Sequence, residues 1–218
     1  MTAKRPLAHY HRRRDFSKTA EPEGGLDEPS GGQPSYVVQI HDARSMHFDF
    51  RLEADGVLKS FAVPKGPSND PHDKRFATPT EDHPLEYRDF EGTIPHGEYG
   101  GGTVIVWDQG TYRNATSDRD GREIPLTEAL ERGHASFRLD GRKLHGGYAL
   151  TRIRDDADGG KEAWLLVKQA DERAAATGTP DPRRARSVRT GRTLNQVAAD
   201  ARPRPGTARG RAGGRGGP

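Results

Sequence analysis

A mainly β fold, an antiparallel barrel or sandwich with one or two short helices, is what this 218-residue sequence predicts. Three observations carry it. Short runs of alternating apolar and polar residues recur at 36–41, 46–53, 57–63, 75–81, 103–107, 135–140, 144–153 and 163–168, punctuated by Gly, Asp and Pro. Asp55-Gly56 and Asp140-Gly141 are pairs favoured in two-residue hairpin turns, so they predict tight joins between neighbouring strands. Helical spacing is confined to short stretches. In "IPLTEALERG", Leu126, Ala129 and Leu130 share a face and Gly133 supplies the stop. Near the C-terminus, Thr193 and Gln196 have capping-box spacing with Leu194 and Val197 behind them.

Composition divides the chain into three parts. Residues 1–33 are polar and broken by Gly and Pro, which predicts an irregular arm outside the core. Residues 34–173 hold the strand pattern and form the expected domain. Residues 174–218 carry 10 Arg, no Lys and 2 Asp, a local charge of +8; the whole chain is +3, so the remainder is 3 − 8 = −5. That tail has too little apolar surface to offset its ordering entropy, which predicts a largely disordered basic segment suited to phosphate backbones. Cysteine is absent, which excludes disulfide scaffolds, thiolate metal sites and a cysteine nucleophile. With no long apolar run and no signal-peptide pattern, the expectation is a soluble cytoplasmic protein without membrane contact.

The chemistry concentrates in "HDARSMHFDFRLEADG", residues 41–56. Met46, Phe48, Phe50 and Leu52 alternate with His47, Asp49 and Arg51, so on a strand the three polar groups share one face. His and Asp suit a divalent cation, and the Arg fork suits a phosphate oxyanion. A two-residue turn at Asp55-Gly56 sets Phe50 opposite Phe61, Phe48 opposite Val63, Asp49 opposite Ala62 and Arg51 opposite Ser60. His41 ends the preceding strand, across a short loop from His47, so His41, His47 and Asp49 can converge. The competing reading is an ordinary solvated strand face.

A second cluster lies in "TEDHPLEYRDFEG", where Pro84 keeps His83 extended and Glu81 sits two residues before it, with Tyr87 following. Such a His could contact phosphate or act as a general acid. "YGGGTVIVW" lacks the Gly-Lys-Ser/Thr of a phosphate loop and marks a tight turn into a buried strand. "RLDG" at 138–141 is similar to a ligase nucleotidylation motif, but an Arg replaces the required Lys. His9, His11, His72, His96, His134 and His145 have no second ligand at a telling spacing.

Taken together, "RRRDFSKTAEP", "VVQIHDARSMHFDFRLEADGVLKSFAVPKGPS", "EDHPLEYRDFEGTIPHGEYGGGTVIVWDQGTY" and "WLLVKQAD" resemble the 3'-phosphoesterase domain of bacterial and archaeal DNA ligase D over roughly residues 12–172. The resemblance implies a β-barrel with its site in a groove on the outer surface. It implies removal of 3'-terminal ribonucleotides and 3'-phosphates from DNA to leave a 3'-hydroxyl, with Mn2+ preferred. It assigns His41, His47 and Asp49 to the metal, Arg51 and His83 to phosphate, and Tyr87 and Glu81 to the active site. Arg14, Asp15 and Glu21 match arm residues used chiefly in ribonucleotide removal. Lys65 and Arg75 match basic residues linked to phosphate removal. Met46 and Phe61 stand where Leu and Trp are expected, both apolar changes on the core face.

No ligase or polymerase domain fits within this length. The expectation is a stand-alone, monomeric version acting on DNA 3' ends of primer-templates, with a separate ligase or polymerase and an end-binding protein in trans and a nucleoid-associated location. Two rival functions fit parts of the sequence. An iron and 2-oxoglutarate oxygenase would use His47-x-Asp49 plus a distal His, and a non-catalytic DNA-binding repair module would use the basic tail and groove.

Overall fold

The structure, a computed structural model, describes residues 6–25, 32–155 and 160–201. Nine strands follow in order: β1 (Ser35–Asp42), β2 (Met46–Ala54), β3 (Val57–Val63), β4 (Lys74–Pro79), β5 (Gly92–Ile94), β6 (Gly102–Asn114), β7 (His134–Gly141), β8 (His145–Arg154) and β9 (Ala163–Lys168). Helices α1 (Ala8–Arg12), α2 (Leu126–Glu131) and α3 (Leu194–Asp200) and a 3-10 turn at Leu85–Asp89 complete the fold. The sheet runs β1-β2-β3-β4-β9-β8-β7-β6-β5, and a β1–β6 pairing closes eight strands into an antiparallel barrel with β5 as an extra strand. Closure removes the open edges that an eight-stranded sheet would otherwise expose.

The first hairpin forms in the expected register. Phe48 pairs with Val63, Asp49 with Ala62, Phe50 with Phe61 and Arg51 with Ser60. Asp55 (φ 52°) and Gly56 (φ 73°) both adopt the left-handed conformation that a type I' turn demands. The second join differs from expectation. Asp140 pairs with His145, so the turn spans Gly141 to Leu144 and closes by Gly141 N–H donating to the Leu144 carbonyl at 3.0 Å. Gly141 serves close approach instead: a Cβ there would lie 1.7 Å from the Tyr36 hydroxyl.

Alternation along β1 and β2 sorts side chains between two cores. Tyr36, Val38, Ile40, Phe48, Phe50 and Leu52 join the main barrel core with Phe61, Trp107, Phe137 and Trp164. Phe48 meets Trp107 edge-on with centroids 5.4 Å apart, and Phe50 stacks on Phe137 at 5.8 Å. The opposite face of these strands is also buried. It lies under a second cluster that includes Leu7, Tyr10, Val37, Leu58, Leu85, Tyr87 and Phe90.

Both termini depart from expectation. The arm was expected outside the core, yet Leu7 is 4% and Tyr10 0% exposed. Its return is pinned at Gly24 (φ +59°), where a Cβ would fall 2.2 Å from that of Pro84. The expected disordered tail from 174 is likewise corrected over 174–201. Ala185, Leu194 and Val197 enter the barrel core, Val188 N–H donates to the Val106 carbonyl at 2.9 Å, and Thr193 and Gln196 form the expected capping box on α3. Few apolar residues suffice because they fall on a surface already built by β5 and β6. Residues 202–218 of the tail and 26–31 of the arm lie outside the described residues.

Candidate active site

The outward face of β1 and β2 carries the candidate site. Antiparallel pairing sets His41 directly opposite His47 and Gln39 opposite Asp49, so side chains that alternate outward meet across the pair. The two imidazole centroids are 4.9 Å apart. Asp49 lies beside both, its Oδ2 3.7 Å from His41 Nδ1 and its Oδ1 3.6 Å from His47 Nε2. One ligand atom from each residue falls within 4.8 Å of the others.

The donor chemistry fits a divalent transition cation. His47 Nδ1 is 2.8 Å from the Ser45 carbonyl, which can only accept, so the proton belongs on Nδ1 and Nε2 keeps its lone pair toward Asp49. His41 Nε2 is buried without a hydrogen-bond partner among the described residues. Burial opposes ionisation of Asp49, but the adjacent Arg51 guanidinium outweighs it and holds the carboxyl well below the usual carboxylate range. An anionic carboxylate and two imidazoles are a common hard-to-borderline ligand set.

Arg51 is more committed than its sequence pattern suggests. Its Nε donates to Gln39 Oε1 at 2.9 Å, Nη1 donates to Ser60 Oγ at 2.8 Å, and Nη2 donates to Asp49 Oδ2 at 3.0 Å. Nη1 also lies 3.0 Å from His83 Nδ1. The fork expected to grip phosphate is thus largely engaged by protein acceptors, while Nη2 keeps a hydrogen for a ligand.

Arg14, brought in by the arm, is the second buried guanidinium. Nε donates to Glu21 Oε1 at 2.9 Å, and Nη1 donates to Glu81 Oε1 at 2.5 Å and to the Tyr10 carbonyl at 3.2 Å. Its Nη2 meets His83 Nε2 at 3.4 Å. His83 therefore sits between two cations. Burial, reinforced by Arg51 and Arg14, keeps it well below its ordinary pKa and neutral. The Tyr87 hydroxyl donates to Glu21 Oε1 at 2.9 Å, and burial beside that carboxylate pushes its pKa well above 10.

A cavity of about 460 Å³ gathers most of the expected residues: His41, His47, Asp49, Arg51, His83, Tyr87, Glu81, Arg14 and Glu21 all line it. Three do not. Asp15 is exposed and holds a local turn through Ser17 and Lys18, Lys65 is exposed after β3, and Arg75 on β4 pairs with Asp73 at 2.7 Å. Glu81 and His83 lie beyond the end of β4, where His83 makes two backbone bonds with Leu58 at 2.8 and 3.1 Å.

Gln39 was missed. It is fully buried, donates from Nε2 to the Tyr87 and Phe90 carbonyls at 2.9 and 3.0 Å, and so couples Arg51 to the segment that carries Tyr87. Its signal was available: it lies two residues before His41, on the same strand face.

Fold and site together define a β-barrel whose outer face holds two imidazoles and a carboxylate that could hold a metal, beside two buried guanidiniums. The family model for the DNA Ligase D 3'-phosphoesterase domain matches residues 39–152, more than half of the chain. The chain belongs to that family. It is 47% identical over 99% of its length to the multifunctional non-homologous end joining protein LigD of Pseudomonas aeruginosa, of which it covers 25%. It is 46% identical over 77% of its length to the corresponding DNA repair protein of Mycobacterium tuberculosis, and 39% over 78% to that of Mycolicibacterium smegmatis. The chain spans a quarter or less of the length of these relatives.

Proposed function

We propose that this protein heals DNA 3' ends in repair, acting as a divalent-metal-dependent phosphoesterase that removes a 3'-phosphate or a 3'-terminal ribonucleotide and leaves a 3'-hydroxyl. The observation that carries this reading is the placement of the His41, His47 and Asp49 triad in one cavity with Arg51, Arg14 and His83. Family membership and relatives that bear the name of end-joining repair proteins agree with it.

His41, His47 and Asp49 would hold Mn2+ or a similar ion, which supplies Lewis-acid polarisation of a phosphate oxygen when bound. The chain's own groups do the rest. Arg51 Nη2 and Arg14 Nη2 offer hydrogens and charge to the remaining phosphate oxygens from two sides. His83 between them is neutral and adds no third positive charge; its Nδ1–H is held by the Glu81 carbonyl at 2.8 Å, which leaves Nε2 with the lone pair. Negative charge arriving in the cavity would ease its protonation, which suits a group that shares a proton with a phosphate ester. Glu21 and Glu81 fix Arg14 and do not themselves favour an anion. The partners in this reading are a primer-template 3' end and a ligase activity that seals the healed end.

The deciding experiment incubates the protein with primer-templates ending in a 3'-phosphate or one 3'-ribonucleotide, with Mn2+ or with EDTA. Conversion to a 3'-hydroxyl with Mn2+ only is expected. Unchanged ends under both conditions would overturn the assignment.

A further inference from the structure

Six tyrosines occur in the chain, and five of them are 0–2% exposed: Tyr10, Tyr36, Tyr87, Tyr112 and Tyr148. Tyr99 is 47% exposed and lines the mouth of the catalytic cavity. The fold uses every other tyrosine for burial and holds this one out at the cavity mouth. Among the described residues the other exposed large apolar side chains are Phe76 and Ile153, and neither lines the cavity.

The loop that carries Tyr99 is tightly closed. Glu98 N–H donates to the Pro95 carbonyl at 3.2 Å and Gly101 N–H donates to the Glu98 carbonyl at 3.0 Å. A Cβ on Gly101 would lie 2.8 Å from the Pro95 oxygen, so only glycine permits the turn. The arm braces it from the other side. Lys18 Nζ is 3.9 Å from Glu98, and Arg13 donates to the Tyr99 hydroxyl while its guanidinium sits 4.6 Å from the ring centroid. An exposed ring carrying a stacked guanidinium is the arrangement that nucleobases use, because every base has a π face.

Position ties this ring to the reacting end. Gly100 abuts the metal triad, its Cβ position 3.9 Å from His41 Cε1, and Tyr99 is the adjacent residue. A phosphate held at the triad and the guanidiniums would therefore put its own nucleoside within reach of the Tyr99 ring. We infer that Tyr99, backed by Arg13, stacks on the 3'-terminal nucleobase and positions the end for the phosphoesterase site; the inference rests on the DNA 3'-end reading above.

The test compares 3'-phosphate primer-templates whose terminal nucleoside is either normal or an abasic tetrahydrofuran. For the wild-type protein with Mn2+, the abasic end should raise KM by roughly 5- to 100-fold, the range that base-aromatic stacking supports. In Tyr99→Ala the two KM values should converge, while Tyr99→Phe, which keeps the ring, should preserve the gap. A terminal 2-aminopurine gives a second readout that needs no turnover, because stacking quenches its fluorescence on binding. Quenching that disappears in Tyr99→Ala supports the stacking site even if no phosphate is released, in which case the catalytic reading alone fails. Equal KM for the two ends in the wild-type protein, or quenching indifferent to Tyr99, overturns the inference.

Discussion

Replacing Arg51 with Lys keeps the positive charge and so isolates what the guanidinium geometry contributes. Arg51 is 3% exposed and serves Gln39, Ser60 and Asp49 at 2.8–3.0 Å. A single ammonium cannot reach acceptors spread around a planar fork, so at least one is left unpaired. Gln39 is the one that cannot adapt, because its amide is already fixed on the Tyr87 and Phe90 carbonyls. A buried unsatisfied acceptor costs about 1–3 kcal/mol. For a chain of this size that is a fall in Tm of roughly 3–9 °C. Turnover should fall further, by about 10²-fold or more, since the Nη2 donor aimed into the cavity and the orientation of Asp49 are lost together. Thermal unfolding and 3'-phosphate release from a primer-template measure the two effects separately. A Tm within about 1 °C of wild type, with turnover within roughly threefold, would show that the fork is not what organises the site.

Asp49→Asn keeps an oxygen to accept from Arg51 and removes the charge, so the protein should fold while Mn2+ affinity, measured by calorimetry, drops by at least about 100-fold. His83 has a folded pKa below its ordinary 6.5, so its contribution to stability is fully present above that value and is lost as pH falls beneath it, where the unfolded chain takes up the proton first. Denaturant midpoints should therefore fall more steeply between pH of about 7.5 and 5.5 in the wild type than in His83→Gln, by up to about 1.4 kcal/mol per pH unit. Leu194→Ala should cost about 2–5 kcal/mol because the side chain is 3% exposed in the barrel core. By the same reasoning a chain ending at residue 173 should melt well below the whole.

Local rules read well where neighbours in sequence are neighbours in space. The β2–β3 register was legible to the residue because Asp55-Gly56 fixes a two-residue turn, and the α3 cap because Thr193 and Gln196 are three apart. Asp140-Gly141 misled because the same pair can be placed for packing, here against Tyr36, as well as for turning. Strand β5 and the polar half of β6 escaped notice because neither has the apolar alternation that a half-buried strand shows. The arm and tail were misjudged for one reason: composition averages a segment, whereas Leu7, Tyr10, Leu194 and Val197 each need only a ready-made apolar surface to dock on. That surface comes from residues far away in sequence.

The arm's docking brings a second guanidinium to the cavity. A guanidinium has five N–H donors. In Arg51, Nε, Nη1 and Nη2 donate to Gln39, Ser60 and Asp49, so its charge serves chiefly to hold the carboxylate of the candidate metal site ionised. In Arg14, Nε and Nη1 are spent on Glu21, Glu81 and the Tyr10 carbonyl, and Nη2 meets only His83 among the described residues. Arg14 thus adds a second set of donors for an incoming phosphate, carried by the arm and not by the strand. It reaches the cavity only because Tyr10, which also lies 3.8 Å under its guanidinium, anchors the arm in the second core. Tyr10→Ala should therefore act on the chemistry from a distance, raising KM for 3'-ends more than Tyr10→Phe does, and equal effects of the two would show that Arg14 is placed by other means.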